Sequence, residues 1–176
     1  MRRLFPKDLG LAIKLQNDII EELEDDNIFV ETTKQEYLES MLIDFCYGLF
    51  DNDSLVAVCI IVLNRETDRN LVSTLENSNI QNKLKQISFV DSITFDTIQV
   101  KRDYRGFGIQ KFFLSVAENL CSALNAQYII ASVSPQNTYS KTNFIRFGYT
   151  VQTTKRLTKG MYHNKERDIM LKVVHQ

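Results

Sequence analysis

The sequence predicts an α/β (α+β) domain, a mixed sheet with helices on its faces, and three observations carry that reading. From residue 89 to residue 174 the order is strand, glycine turn, helix, strand, helix, strand, strand, and a strand that feeds a helix and then another strand implies a parallel crossover. Paired strand-like runs at both ends imply antiparallel hairpins. The run 55–63 is apolar throughout, which suits a strand buried on both faces.

The elements follow in order. A short edge segment, 2–5, precedes Pro6, which is well placed for a first helical turn. Leu9, Ile13, Ile20 and Leu23 then share a helical face as far as the acidic run Glu21, Glu22, Glu24, Asp25, Asp26. Thr33 with Glu36 three residues on is a capping box, and Leu38, Met41 and Leu42 continue that second helix. Asp51-Asn52-Asp53-Ser54 is a turn cluster joining strands 45–50 and 55–63. The polar stretch 65–86, with Leu71, Val72, Leu75, Ile80 and Leu84 near helical spacing, reads as a loop carrying a helix, because a structureless connection so long is unusual. Strand 89–100 leads into the glycine turn. The helix after it keeps the i, i+3, i+4, i+7 pattern through Ile109, Phe112, Phe113, Val116, Ala117, Leu120, Cys121 and Leu124. A buried strand, 128–133, ends at Ser134 and Pro135. Asn137 can cap a short helix that Gly148 stops, and strands 149–155 and 168–174 close the chain as a hairpin with a long loop.

Composition sets the limits. The chain has 176 residues, 21 basic and 22 acidic side chains, a formal net charge of -1 and 44% hydrophobic residues. That suits one domain, 1–176, able to build a core without disulfide or metal staples, and no repeat or linker divides it. A near-neutral chain with scattered Lys and Arg lacks the basic stripe that a phosphate-backbone binder needs, so no nucleic-acid partner is expected. The longest apolar run has nine residues, 55–63, against about 20 for a membrane span. Lys7, Asp8 and Lys14 interrupt any signal-like stretch, so the expectation is a cytoplasmic protein with no membrane partner. Cys46, Cys59 and Cys121 are odd in number, far apart and set among apolar neighbours, which reads as buried reduced thiols. With His163 and His175 the only histidines, neither a nucleophilic cysteine nor a metal site is expected.

Glycine is scarce. Average usage would supply about 12 glycines and about 9 prolines in such a chain; there are six and two. Gly106 and Gly108 nevertheless fall in one turn, between a strand and a helix, where free backbone N–H groups and the helix dipole favour an anion such as a phosphate or pyrophosphate. The P-loop pattern and the dinucleotide fingerprint both require glycine where Lys111 stands, so both fail.

Val100 followed by Arg105-Gly106-Phe107-Gly108-Ile109 resembles the R-G-x-G-[ILV] turn of the GNAT acyltransferases, with Asp103 where many members carry Gln or Arg. One strand later a degenerate form of that family's N-x-x-A-x-x-x-Y-x-x-x-G-F appears as Asn137, Ser140, Phe144, Gly148 and Tyr149. The resemblance covers about residues 89–149. It implies a mostly antiparallel central sheet of six or seven strands, flanked by helices, with a splayed parallel pair at its centre. It implies acetyl-CoA as cosubstrate without a metal: the pyrophosphate on the backbone of Arg105, Gly106, Phe107, Gly108 and Ile109, the pantetheine arm against backbone groups of Ile98 and Val100, and the thioester near the helix starting at Asn137, with Ser140 and Phe144 alongside. The acceptor would be a primary amine of a small molecule or peptide, attacking directly in a ternary complex, and the reading leaves room for a homodimer.

For the base Asp96 is favoured, since a charge in a strand fitted for burial is costly unless it has a role or a partner; Asp91 is the alternative. Phe144 stands where the family usually has a proton-donating tyrosine, so water, Tyr139 or Tyr149 would have to serve, or the thiolate leaves unaided. Residues 24–32 and 156–167, with Tyr162 and His163, are the expected acceptor side. The competing readings are a non-catalytic acyl-CoA-binding or sensing module and a phosphate-binding domain unrelated to CoA.

Overall fold

The computed structural model describes residues 1–23, 28–64, 91–157 and 165–174. It begins with a two-residue edge strand, β1 (Arg2–Arg3). Pro6 opens a 3-10 turn, Pro6–Asp8, that runs directly into α1 (Leu9–Glu21). The face α1 buries is Ala12, Leu15, Gln16 and Ile19. The expected stripe through Leu9, Ile13 and Ile20 is only half-buried. That expectation counted bulky apolar residues alone, whereas the buried face also carries small Ala12 and hydrogen-bonded Gln16.

Helix α2 (Lys34–Ile43) starts at the capping box read from the sequence: Thr33 N donates to Glu36 Oε2 at 2.8 Å and Glu36 N to Thr33 Oγ1 at 3.3 Å. It buries Tyr37, Ser40 and Met41 and leaves Leu42 exposed. Strands β2 (Phe45–Asp51) and β3 (Ser54–Leu63) form the expected hairpin, with Asn52 taking the left-handed conformation that asparagine tolerates. Every residue of β3 from Leu55 to Val62 is buried. The helix expected within 65–86 lies outside the described residues, as do Phe89 and Val90. Among the described residues the remaining helices and strands are β4 (Ser92–Val100), α3 (Ile109–Ala123), β5 (Tyr128–Val133), α4 (Thr138–Arg146), β6 (Thr150–Leu157) and β7 (Lys165–Val173).

Among the described residues seven strands form one sheet in the order β1-β2-β3-β4-β5-β7-β6. Only β4 and β5 run parallel; all other neighbours are antiparallel. This is a mostly antiparallel mixed sheet with helices on both faces. Phe113, Leu114, Ala117 and Cys121 of α3 pack with Phe144 and Tyr149 on one face, against Ile93, Phe95, Ile129 and Ala131. Leu15, Ile19, Tyr37 and Met41 cover the other face over Val58, Ile60 and Val62. Each such large apolar side chain contributes roughly 1.5–3 kcal/mol by leaving water. Cys46, Cys59 and Cys121 are buried free thiols, and burial pushes Cys121 up to about 11 and holds Cys59 well above its ordinary range. Among the described residues no helix is long and apolar enough to cross a membrane.

Candidate active site

The site begins with one residue too many in β4. Phe95 sits opposite Ile61 of β3 and Thr97 opposite Ile60, so Asp96 is the extra residue of a β-bulge. The side-chain alternation changes phase there. Ile93 and Phe95 before the bulge, and Ile98 and Val100 after it, face α3 and α4, while Thr97 and Gln99 turn to the α1–α2 side. A bulge bends its strand, and pairing between β4 and β5 ends at Phe95 and Ala131. Beyond that point the two strands diverge, with β5 held by β7 and β4 by β3.

Backbone polarity follows from the same register. Lys101 N donates to Val56 O of β3 at 2.9 Å. In an antiparallel pair, main-chain groups alternate between the two sides. The N–H and C=O groups of Ile98 and Val100 therefore face away from β3, into the gap beside β5. The side chain of Arg105 reaches back to that edge, its Nε donating to Val100 O at 3.0 Å, and Nη2 lies 3.9 Å from Glu22 Oε2.

After β4 the chain makes a 3-10 turn, Arg102–Tyr104, and reaches Gly106 at φ +86° and Gly108 at φ +77°. A Cβ added at either glycine would meet nothing within 4 Å, so positive φ, and not crowding, is what requires glycine. Gly108 is the N-cap of α3 and offers no side-chain hydrogen bond, whereas Thr33 and Asn137 cap α2 and α4. The first N–H groups of α3 thus open onto the end of the gap with no capping side chain.

The cleft between the diverging strands is lined by Phe95, Asp96, Thr97 and Ile98 of β4, and by Ser132, Val133 and the following Ser134 on the β5 side. Asn137, Ser140 and Phe144 of the α4 region close one wall, Ile28, Phe29 and Val30 another, and Arg167 of β7 completes it. Asn137 Oδ1 accepts from Ser140 N at 3.1 Å. Gln110 of α3 donates to Ser140 Oγ at 3.0 Å and accepts from Asn143 at 2.8 Å, which ties the two helices together beside the cleft. Phe144 stacks edge-on with Phe95 and Tyr149, at ring-centroid separations of 5.6 and 4.9 Å. Thr97 Oγ1 donates to Asp96 Oδ2 at 2.9 Å.

Of the expected residues, Asp96, Ile98, Asn137, Ser140 and Phe144 line this cleft, Val100 ends β4, and Arg105 to Ile109 form the turn that leads into α3. Tyr139 does neither: 88% exposed and absent from the lining, it stands on another face of α4, as its offset of five residues from Phe144 dictates. Tyr149 is buried in the core, where desolvation pushes its hydroxyl well above the usual range, and Asp91, just before β4, is not in the lining either. Glu24, Asp25, Asp26, Tyr162 and His163 lie outside the described residues. Sequence reasoning missed Ser134 and Thr97. Arg167, the last residue of the expected acceptor-side loop 156–167, lies instead in β7, 3% exposed, and lines the cleft.

No protein-family model and no curated protein matches the sequence. Solved structures do match in shape. A GNAT-family acetyltransferase from Streptococcus pneumoniae, 14% identical, aligns over 99% of this chain and 98% of its own with a TM-score of 0.67. YncA from Salmonella typhimurium, solved with its cofactor acetyl-CoA, is 11% identical over 99% and 93% at 0.70. The ribosomal-protein-S18-alanine N-acetyltransferase from Escherichia coli is 13% identical over 99% and 93% at 0.66. The seven-stranded sheet, parallel only where it splays, gives this chain the fold of the GNAT acetyltransferases.

Proposed function

We propose that the protein is an acetyl-CoA-dependent N-acetyltransferase acting on a primary amine of a small molecule or peptide, by direct attack in a ternary complex. The observation that carries this reading is the gap between β4 and β5, edged by the main-chain groups of Ile98 and Val100 and ending at the uncapped glycine turn. An extended, amide-bearing arm can add to such an edge as a strand does, and a pyrophosphate suits the N–H groups of Arg105 through Ile109. Nothing crowds the Cα atoms of Gly106 and Gly108, so the turn has room for that group. Bound acetyl-CoA would supply the acyl group as an activated thioester. Binding of acetyl-CoA to YncA, in the same fold, supports the choice of donor, and a ribosomal-protein N-acetyltransferase in that fold supports including peptide amines among acceptors.

The roles assigned to this chain's residues follow from chemistry. Asp96, at the bulge and in the cleft lining, accepts the proton that an ammonium acceptor must lose before it can attack. The N–H groups of Ile98 and Val100 stabilise negative charge developing on a carbonyl oxygen in the gap. Ser140 and Asn137 shape the wall, and Phe144 packs there. No tyrosine among the described residues lines the cleft, and the modest basicity of a thiolate makes a phenolic donor dispensable. Buried reduced thiols support a cytoplasmic setting.

The test is incubation with acetyl-CoA and a panel of polyamines, amino acids, aminoglycosides and peptides, recording thiol release alongside CoA binding by calorimetry. Turnover on at least one class is expected, and Asp96→Asn should lower it by about 100-fold with CoA affinity nearly intact. CoA binding without turnover on a broad panel would favour a non-catalytic acyl-CoA sensor, for which Phe144 is the motive. Absence of CoA binding would overturn both.

A further inference from the structure

On the α1–α2 side of the bulge a chain of hydrogen bonds runs through residues distant in sequence. Gln16 of α1 grips the peptide groups of Thr32: its Oε1 accepts from Thr32 N at 2.9 Å and its Nε2 donates to Thr32 O at 2.9 Å. Gln99 of β4 donates through Nε2 to Gln16 Oε1 at 2.8 Å, and the Tyr37 hydroxyl of α2 donates to Gln99 Oε1 at 2.9 Å. All four residues are buried. The directions are forced. Thr32 N can only donate, so Gln16 must present Oε1 to it; Gln99 must then present Nε2 to Gln16, which leaves Gln99 Oε1 for the tyrosine.

The chain continues to the cleft. Thr32 Oγ1 and Thr97 Oγ1 are 3.3 Å apart, and Thr97 gives its single hydroxyl proton to Asp96 Oδ2 at 2.9 Å. Thr32 is therefore the donor to Thr97, and the network points toward the carboxylate. The same Thr32 ends the segment whose Ile28, Phe29 and Val30 wall the cleft, and Lys165 of β7 donates to Phe29 O at 2.9 Å to hold that segment's other end.

We propose that Thr97 is a positioning residue for Asp96, set through Thr32 by Gln16, so that one buried network fixes the acceptor-side wall and the carboxylate relative to each other. The proposal rests on Asp96 being the group that activates the acceptor. Thr97→Val keeps the shape and loses the hydroxyl; Thr97→Ser keeps the hydroxyl.

Steady-state kinetics with the best amine of the panel, CoA affinity by calorimetry and thermal melts should be measured for both variants, for Asp96→Asn and for the Asp96→Asn/Thr97→Val double variant. Thr97→Val should lower kcat/KM for the amine by up to about tenfold, the scale of one hydrogen bond, with CoA affinity and Tm little changed. Thr97→Ser should recover most of that loss, and Thr97→Val should add nothing in the Asp96→Asn background. Independent losses that multiply, or no recovery by serine, would make Thr97 a packing residue and overturn the proposal. An unchanged rate in Asp96→Asn would instead remove the base itself and the positioning role with it. A second readout needs no turnover: Gln16→Met should accelerate hydrogen exchange at the Thr32 amide while the β3 amides keep their protection. Unchanged exchange at Thr32 would show that Gln16 does not fix the wall.

Discussion

At Gly108 the backbone is left-handed and the space around it is open, so a β-branched residue there is strained by its own Cβ, at roughly 1–3 kcal/mol. Gly108→Val should therefore lower stability and displace the first amides of α3, weakening CoA binding by more than about tenfold. Calorimetry with CoA decides it, and retained affinity would mean the turn holds something else. Asp8 answers to pH. Its carboxylate receives a fork from Arg2, Nη1 to Oδ2 at 2.9 Å and Nη2 to Oδ1 at 2.8 Å, and Phe5 N at 3.0 Å. The Arg2 hydrogen bonds outweigh the opposing effect of burial and hold Asp8 at about 2 against an ordinary 3.8. A depressed acid contributes stability that is complete above its unfolded value and is lost as pH falls toward its folded one. Urea midpoints of the wild type and Asp8→Asn should thus differ fully at about pH 5 and converge by about pH 2.

The elements show how a local signal becomes a site. The cap at Asn137 was legible because an asparagine after a proline turn, three residues ahead of Ser140, has few other uses. Its side chain both starts α4 and stands in the cleft wall. Asn137→Ala should cost about 1 kcal/mol in chemical denaturation, the usual value of a lost N-cap. A loss near zero would mean that the contacts of Gln110 with Ser140 and Asn143 hold the helix start without it. The bulge was legible only in part. Asp96 drew attention as a charge in an apolar strand, but the more informative signal was the phase of its neighbours: Ile93 and Phe95 at odd positions, Ile98 and Val100 at even ones. A period-two pattern that skips one residue marks the extra residue of a bulge. Tyr139 stands exposed and outside the cleft lining, where helical spacing alone places it relative to Phe144.

Across the whole molecule, what the sequence by itself determined is whatever periodicity and local capping decide. The glycine turn before an amphipathic helix, the buried strands and the two capped helices rest on interactions within a few residues, and the order of those elements implied the mixed sheet. Only the tertiary structure decided that β7 lies between β5 and β6, and so brings Arg167 and Lys165 beside a cleft that starts on β4. It alone decided that Gln16, Thr32, Tyr37 and Gln99 share one network, because a buried glutamine looks the same in sequence whether or not it finds a partner. The partners of Gln16 come from another helix (Tyr37, its hydroxyl 3.3 Å from Gln16 Oε1), a loop (Thr32) and a central strand (Gln99), and no repeat or spacing links them. Local rules fix which way a side chain faces; the meeting of distant faces fixes what it touches, and the candidate chemistry of this protein lies in those contacts.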